Sequence, residues 1–267
     1  MKVLAVIPAR YSSTRFPGKI LAKDTGKFLI QHTYERACLA KLPEKVLIAA
    51  DDEKVMATAK SFGAECVLTS TEHQSGTDRI AEAVADIDVE IVVNLQGDEP
   101  EIDPANIDYL AKLLIDNPDY PMATLAAEFQ SAELVADPNI VKVVVAWSVQ
   151  RGADRKKLNA KRYPLNADCG KAIYFSRSVI PYDRDKSGVG DVRYYLKHIG
   201  IYAYRKPFLL EITSLPQTPL EKIEKLEQLR AIENGYGILV GKVTHTCDGI
   251  DTPEQYADFV KRYKEEA

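Results

Sequence analysis

Short apolar runs alternate with segments of helical periodicity along the first half of the chain. Apolar runs without polar alternation are typical of strands that are buried on both faces of a sheet. Strands are predicted at 3–8, 46–50, 65–70, 90–95 and 122–127. Helices are predicted between them at 28–40, 52–62, 78–87 and 104–116. Because strands that alternate with helices indicate right-handed crossovers, we predict an α/β fold with a mostly parallel central sheet flanked by helices.

The second half of the chain is less regular. Further strands are predicted at 141–147, 171–176, 193–205 and 237–243. The segment 218–235 carries leucine and isoleucine at helical spacing between Pro219 and Gly235, which predicts one continuous helix. A last helix is predicted from Pro253. Since no linker or internal repeat divides the chain, we expect a single domain over 1–267, with a smaller mixed lobe beside the parallel sheet.

One stretch departs from this alternation. Residues 146–170 contain six lysines and arginines against two aspartates. This composition predicts an exposed basic insertion. Its pattern leaves two interpretations open, a solvated surface loop or a basic lid over an anionic ligand.

Composition and charge narrow the class of protein. Apolar residues make up 46% of the chain, enough for a full core, and the net charge of −4 argues against general nucleic-acid binding. No run approaches the ~20 apolar residues that a membrane span needs, and the N-terminal apolar stretch is too short for a signal peptide. The four cysteines lack metal-site spacing and favour reduced thiols. We therefore expect a cytoplasmic protein that binds neither nucleic acid nor membrane.

A loop rich in cations follows the first predicted strand. The sequence IPARYSSTRFPGKIL places Arg10, Arg15 and Lys19 among glycine, proline and small hydroxyl residues. Backbone amides of such loops cradle phosphate oxygens, while arginine offers a planar fork and lysine a compact charge. The loop therefore predicts a polyphosphate site.

A second loop, NLQGDEP, ends the predicted strand at 90–95 on an acidic pair, Asp98 and Glu99. Ligands of open parallel sheets bind outside the carboxyl ends of the strands, where both loops are predicted to lie. Carboxylates are suitable Mg²⁺ ligands when phosphate oxygens and water complete the coordination. Together the two loops predict chemistry on a nucleoside triphosphate with a divalent cation.

Standard nucleotide motifs are incomplete in this chain. A P-loop requires Ser or Thr after Gly-Lys, whereas Ile20 follows Lys19, and the upstream glycine is missing. The segments 188–193 and 235–240 each lack the third glycine of a dinucleotide-binding fingerprint. A P-loop NTPase and an NAD-linked dehydrogenase are therefore poorly supported.

Seven co-linear segments resemble the 3-deoxy-manno-octulosonate (Kdo) cytidylyltransferases, also called CMP-Kdo synthetases. They are IPARYSSTRFPGK, HQSGTDR, NLQGDEP, AIYFSRSVIPYDRD, KHIGIYAY, LEKIEKLEQLR and GIDTPEQ. The resemblance implies a Rossmann-like nucleotidyltransferase fold, a homodimer and Mg²⁺ as cofactor. It also implies the reaction of CTP with Kdo to give CMP-Kdo and pyrophosphate, which supplies lipopolysaccharide or capsule synthesis.

The resemblance also implies roles for individual residues. The triphosphate would be held by Arg10, Arg15 and Lys19, and the cytidine pocket would be lined by Ser75, Gly76 and Arg79. Mg²⁺ would be ligated by Asp98 and Asp251, which with Arg10 and Lys19 form the expected catalytic set. The sugar acid would be contacted by Gln96, His198, Tyr202, Glu227 and Gln228.

The residue pattern alone supports these roles unequally. Asp98 and Asp251 could each be a helix cap, with Thr252 as an alternative cap for the last helix. A histidine on an apolar strand, such as His198, is usually a satisfied core residue, although His198 and Tyr202 would share a strand face. The pattern places Glu227 and Gln228 as an exposed pair in the middle of the predicted helix, so their assignment depends on the resemblance.

The departures from the family pattern affect the expected identity of the sugar and leave the segments expected to bind the nucleotide unchanged. The basic stretch 146–170 is longer than the link expected between the flanking strands. A modified octulosonate such as an 8-amino form, or another acidic sugar, is therefore an alternative substrate. A non-catalytic nucleotide-sugar binder is the alternative outside the enzyme class.

Overall fold

The computed structural model describes residues 1–12, 15–147, 168–246 and 249–266. Most of the predicted basic insertion at 146–170 lies outside these residues, so its two interpretations stay predictions. None of the helices in the described ranges has the length and apolar character that a bilayer crossing requires.

Nine strands of the described chain form one sheet. They are β1 (Val3–Ala9), β2 (Lys45–Ala50), β3 (Glu65–Leu68), β4 (Ile91–Asn94), β5 (Met122–Glu128), β6 (Lys142–Ala146), β7 (Cys169–Ser176), β8 (Leu196–Arg205) and β9 (Ile238–Val243). Their order across the sheet is β3-β2-β1-β4-β8-β5-β9-β7-β6. Strands β3, β2, β1 and β4 run parallel, as do β5 and β9. The pairs β4–β8, β5–β8, β7–β9 and β6–β7 are antiparallel.

Helices cover both faces of this sheet. They are α1 (Leu29–Ala37), α2 (Glu53–Ser61), α3 (Gly76–Val84), α4 (Pro104–Asp116), α5 (Ala132–Ala136), α6 (Lys206–Ser214), α7 (Pro219–Glu224), α8 (Gln228–Glu233) and α9 (Pro253–Glu266). One buried cluster joins α1, α2 and α4 to one face, and a second joins α3, α6 and α8 to the other. The predicted α/β architecture is confirmed, and the mixed part continues the same sheet.

The predicted continuous helix at 218–235 is wrong. The chain forms α7 and α8 instead, separated by a corner at Lys225, whose φ of 55° lies in the left-handed region. The backbone N–H of Leu226 donates to the carbonyl of Glu221 and closes the corner at 3.3 Å. The apolar spacing continues across this break because Leu226 and Leu229 are both buried. Glu227 consequently precedes α8 instead of lying inside a longer helix.

Helix α9 packs against α1 through a small separate cluster. Leu29, Ile250, Tyr256 and Phe259 are buried together there, with Phe16 packed against them. This cluster brings the loop after β1 to the segment that leads into α9.

Candidate active site

The cation loop after β1 turns back on itself to place Lys19. Gly18 adopts φ 67°, a left-handed conformation that favours glycine, and a single 3-10 turn over Lys19–Leu21 follows. The Phe16 ring lies 5.6 Å from the Tyr256 ring of α9, which fixes the loop beside that helix. The side chain of Lys19 is only 9% exposed. Its ammonium therefore needs charged partners within the protein.

Two aspartates from distant parts of the chain supply those partners. The Lys19 ammonium lies 2.5 Å from Asp98 Oδ2 and 3.2 Å from Asp251 Oδ1. Arg15 reaches Asp251 Oδ1 at 2.9 Å. A backbone hydrogen bond of 2.9 Å from Ile250 N–H to the carbonyl of Asp98 joins the two acidic segments directly. The structure thus brings together four of the residues named from sequence.

The capping alternatives for both aspartates are wrong. The N-cap of α4 is Asp103, whose carboxylate accepts from Ala105 N–H at 2.9 Å. At the start of α9, Gln255 N–H donates to the hydroxyl of Thr252 at 3.3 Å. Both Asp98 and Asp251 instead direct a carboxylate oxygen to Lys19.

The donor set of Asp98 and Asp251 fits Mg²⁺. This ion prefers one or two carboxylates and takes its remaining ligands from water and substrate phosphate. Within the described ranges no group of three His, Cys, Asp or Glu side chains is arranged to hold a metal. The described residues therefore form no site that would hold a metal by protein ligands alone. A site in which phosphate oxygens supply further ligands is compatible with the positions of Asp98 and Asp251.

The amino end of α3 approaches the end of β1. A Cβ on Gly76 would lie 3.3 Å from Cγ of Pro8, so glycine permits this close contact. Ser75 caps the helix, with its hydroxyl accepting from Asp78 N–H at 3.0 Å. Helix amino ends attract anions, and this one lies beside the end of β1 at the carboxyl edge of the sheet.

Arg79, in the first turn of α3, is only 1% exposed. Its guanidinium donates to the hydroxyl of Thr69 at 2.5 Å and forms an ion pair with Asp51 at 3.4 Å. Burial lowers the pKa of Arg79, and Asp51 opposes that shift. Arg79 therefore joins α3 to the ends of β2 and β3, and its Nε is a buried donor without a partner among the described residues.

The sequence did not predict a role for Asp51, which follows β2 at the carboxyl edge of the sheet. Its carboxylate accepts from the backbone N–H of Tyr11 at 2.9 Å and thereby holds the cation loop. Arg10, in the same loop, donates to the carbonyl of His73 at 3.3 Å. The signal in the sequence that indicates such a role is the position of Asp51 directly after a buried strand.

The predicted sugar contacts lie on β8 and beside it. Asn94 of β4 pairs with Tyr202, which brings β8 next to the NLQGDEP loop. A bulge opposite Thr124 and Leu125 leaves Gly200 outside the ladder with β5, and Gln96 Nε2 donates to its carbonyl at 3.0 Å. The rings of His198 and Tyr202 are 5.5 Å apart, so they share a face as predicted.

His198 is buried and neutral. Burial lowers the pKa of its imidazole to about 3. Its Nε2 lies 3.0 Å from the hydroxyl of Thr124, which also contacts the carbonyls of Ile199 and Ile201 at 3.1 and 2.8 Å. Because carbonyls can only accept, the single hydroxyl hydrogen of Thr124 goes to them and Nε2–H donates to the hydroxyl. Nδ1 is consequently the unprotonated, accepting nitrogen.

Glu227 and Gln228 are not the exposed pair that the pattern indicates. The Glu227 carboxylate accepts from the hydroxyls of Ser75 at 3.2 Å and Thr77 at 3.0 Å. Burial raises the pKa of Glu227, while the bond from Thr77 lowers it. Gln228 is 5% exposed and its Nε2 has no partner among the described residues. The corner between α7 and α8 thus connects the predicted sugar contacts to the amino end of α3.

A cleft of about 210 Å³ opens beside Ser75 and Glu227. Two larger clefts, of about 590 and 550 Å³, lie around α9 and the Pro100–Glu101 segment. Neither of those contains the lysine with its two aspartates, so cleft size does not locate the chemistry here. The charged groups that converge at the sheet edge mark the candidate active site instead.

Comparisons with known proteins agree with this geometry. The family model described as cytidylyltransferase matches residues 4–242. A 3-deoxy-manno-octulosonate cytidylyltransferase of Solibacter usitatus is 46% identical over 98% of this chain and 95% of its own length. The protein of that name in Syntrophotalea carbinolica is 44% identical over 95% of each chain.

A solved structure of CMP:2-keto-3-deoxy-manno-octonic acid synthetase complexed with CTP is also similar. It is 38% identical, covers 100% of both chains and superimposes with a TM-score of 0.86. The predicted Rossmann-like nucleotidyltransferase fold is thereby confirmed. This chain belongs to the cytidylyltransferase family and, within it, to the 3-deoxy-manno-octulosonate cytidylyltransferases.

Proposed function

We propose that this protein transfers CMP from CTP to the anomeric hydroxyl of Kdo or a close variant, releasing pyrophosphate and forming CMP-Kdo. The observation that carries the proposal is the meeting of Lys19 with Asp98 and Asp251 at the carboxyl edge of the sheet. Relatives that are 46% and 44% identical to this chain are named 3-deoxy-manno-octulosonate cytidylyltransferases.

Phosphate chemistry at this edge depends on charge that is placed in advance. Attack of the sugar hydroxyl on the α-phosphate develops negative charge on phosphate oxygens and on the departing pyrophosphate. Lys19, Arg15 and Arg10 would stabilise that charge, and the amino end of α3 adds the partial positive charge of its free N–H groups. Mg²⁺ held by Asp98 and Asp251 would supply further charge neutralisation and lower the pKa of a coordinated hydroxyl.

The residues expected to contact the sugar comprise four uncharged side chains and one carboxylate, that of Glu227. Burial keeps His198 neutral and raises the pKa of the Tyr202 hydroxyl. Nδ1 of His198 would accept a hydrogen bond from a sugar hydroxyl, while Gln96 and Gln228 offer amides. Glu227 would accept from sugar hydroxyls when these replace Ser75 and Thr77. Such groups would orient a polyhydroxylated acid through directed hydrogen bonds.

We further propose Mg²⁺ dependence, a homodimer and a cytoplasmic location. The two-carboxylate donor set supports the metal, and membership of the family supports the other two. The product would enter lipopolysaccharide or capsule synthesis. Modified octulosonates and other acidic sugars remain as alternative acceptors.

The test is pyrophosphate release by the full-length protein with CTP, Mg²⁺ and Kdo. Asp98→Asn should lower the rate by about 10²- to 10³-fold because it removes a carboxylate that would hold the metal opposite the developing phosphate charge. Asp103→Asn is the matched control, since asparagine also caps helices well and the residue lies outside the site. Chelation of divalent metal should abolish turnover.

Full activity after chelation, or in Asp98→Asn, would contradict the metal-dependent mechanism. A panel of acidic sugars with each nucleoside triphosphate identifies the preferred pair. CTP binding without turnover of any sugar in the panel would instead favour a nucleotide-sugar binder.

A further inference from the structure

Two of the cations assigned to the triphosphate are paired in the structure with the carboxylates assigned to the metal. Lys19 contacts both Asp98 and Asp251, and Arg15 contacts Asp251. We propose that Lys19 occupies the cation position between the two aspartates until nucleotide arrives, so that divalent metal enters only together with the triphosphate. This inference rests on the proposed function, because it uses the assignment of the two aspartates to the metal.

The burial of Lys19 explains why it keeps this position. Its side chain is 9% exposed, whereas the side chains of Asp98 and Asp251 are 25% and 42% exposed. A poorly hydrated ammonium is stable only beside anions, and these two carboxylates are the ones it contacts. A divalent cation approaching the same carboxylates would meet an ammonium within hydrogen-bond distance of both. Like-charge repulsion therefore weakens metal binding to the free protein.

Nucleotide changes the partners that are available to the cations. The triphosphate brings several negative oxygens to the loop that carries Lys19 and Arg15. Both side chains can turn from carboxylate to phosphate, since lysine has a flexible four-carbon stem and Arg15 is exposed. The two aspartates then lose their internal counterions at the moment when a metal with phosphate ligands is present.

The carboxylates do not depend on Lys19 to stay close. The hydrogen bond from Ile250 N–H to the carbonyl of Asp98 joins their segments, and Ile250 is buried with Leu29, Tyr256 and Phe259. A variant without the Lys19 charge should therefore retain both aspartates at one place. This makes the inference testable by direct metal binding.

The experiment measures binding of Mn²⁺ to nucleotide-free, full-length protein from the electron paramagnetic resonance signal of the free ion. Lys19→Met removes the charge and keeps most of the side-chain length. We expect Lys19→Met to bind Mn²⁺ at least about tenfold more tightly than the wild type, since an ammonium no longer opposes it. The double variant Lys19→Met/Asp98→Asn should lose that gain.

Lys23→Met is the matched control. Lys23 lies near the same loop but contacts the ring of Phe28 rather than a carboxylate, so this variant should bind Mn²⁺ as the wild type does. Arg15→Gln is a second probe that does not disturb folding, because Arg15 is exposed, and it should show a smaller gain. Circular dichroism confirms that each variant is folded.

Equal Mn²⁺ affinity in the wild type, Lys19→Met and Arg15→Gln would overturn the inference. A gain that survives Asp98→Asn would also overturn it, because the metal would then bind elsewhere. Either result leaves the proposed transfer reaction intact if pyrophosphate release persists in the wild type. Absence of that release, with the Mn²⁺ gain present, would refute the proposed function alone.

Discussion

Burial determines the protonation of single side chains at the proposed sugar end of the site. His198 is enclosed by Phe175 and Tyr202, with ring distances of 5.0 and 5.5 Å, and its Nε2–H is held by Thr124. Since burial lowers the pKa of His198 to about 3, its imidazole remains neutral throughout the physiological range. Its contribution is an oriented acceptor rather than a charge.

We predict that His198 shows no titration between pH 5 and 8 and exists as the Nε2–H tautomer. Long-range ¹⁵N–¹H correlation spectra of the full chain measure both properties, and His198→Gln identifies the resonance by its loss. The acid limb of the kcat/KM profile should therefore come from another group. A His198 resonance that titrates near pH 6.5 would contradict the burial argument.

Glu227 combines a proposed role in sugar binding with a cost in stability. Burial raises its pKa, so the folded protein binds the carboxyl proton more tightly than the unfolded chain does. Above the unfolded pKa the unfolded chain is ionised, whereas the folded state becomes a desolvated carboxylate only above its own, higher pKa. Stability from this group is thus present at low pH and is lost as the pH rises through the folded pKa.

Glu227→Gln should accordingly raise the Tm at pH 8 and leave it unchanged near pH 4, while transfer activity falls at least about tenfold because a charged acceptor is lost. Thermal unfolding across this pH range measures the effect. Glu265→Gln, at an exposed position of α9, is the control and should change neither quantity. A Tm that falls at pH 8 would show that Ser75 and Thr77 compensate fully for the burial of Glu227.

The corner between α7 and α8 is held by a buried ion pair. Arg230 contacts Glu221 at 2.6 and 2.9 Å, and both side chains are buried. Arg230 also donates to the carbonyl of Ile212 at 3.1 Å, which connects the corner to α6. The position of Glu227 therefore depends on a contact between two helices as well as on its own hydrogen bonds.

Removing one partner of this pair should be costly. We expect Glu221→Ala to lower the free energy of unfolding by about 3 kcal/mol, because the Arg230 guanidinium is left buried and unpaired. Urea unfolding measures this, and the KM for the sugar should rise as Glu227 shifts. The exposed pair of Lys112 and Asp116 offers the comparison, since Asp116→Ala should cost no more than about 0.5 kcal/mol. Equal costs for the two substitutions would contradict the role of burial.

The sequence pattern predicted an element well where the contacts that determine its bounds lie close in sequence. Helix α4 has the predicted bounds because Asp103 and Pro104 mark its start in the sequence itself. The corner at Lys225 was missed because buried Leu226 continues the helical spacing across the break. Thr77 and Thr124 gained their roles only from partners about 150 and 74 residues away, which periodicity does not reveal.

The order of the strands in the sheet explains why some site residues could not be assigned from the sequence pattern alone. Asp98 could be inferred from its position after β4, because carboxyl ends of parallel strands share an edge. Nothing local indicates that β8 inserts antiparallel between β4 and β5, since pairing partners are set by distant parts of the chain. That insertion pairs Tyr202 with Asn94 and brings the carbonyl of Gly200 to Gln96. The resemblance to a family therefore contributed most for the sugar contacts.

The position of β8 also makes the two halves of the chain interdependent. It pairs with β4 of the parallel part and with β5, which in turn pairs with β9. Ile201, on β8, is fully buried in the cluster that α1, α2 and α4 cover. Trp147, the single tryptophan, packs against the cluster on the opposite face. Loss of either half would expose strands of the other.

We therefore predict one cooperative unfolding transition for the predicted single domain. Tryptophan fluorescence, which reports on the end of β6, and far-UV circular dichroism, which reports on the whole chain, should give coincident urea curves. Ile201→Ala should shift both midpoints together, with a cost of about 2–5 kcal/mol for the cavity left in the core. Ile223→Ala, on the exposed face of α7, should cost within about 0.5 kcal/mol. Separate fluorescence and dichroism transitions would instead show that the mixed part of the sheet unfolds independently of β1–β4.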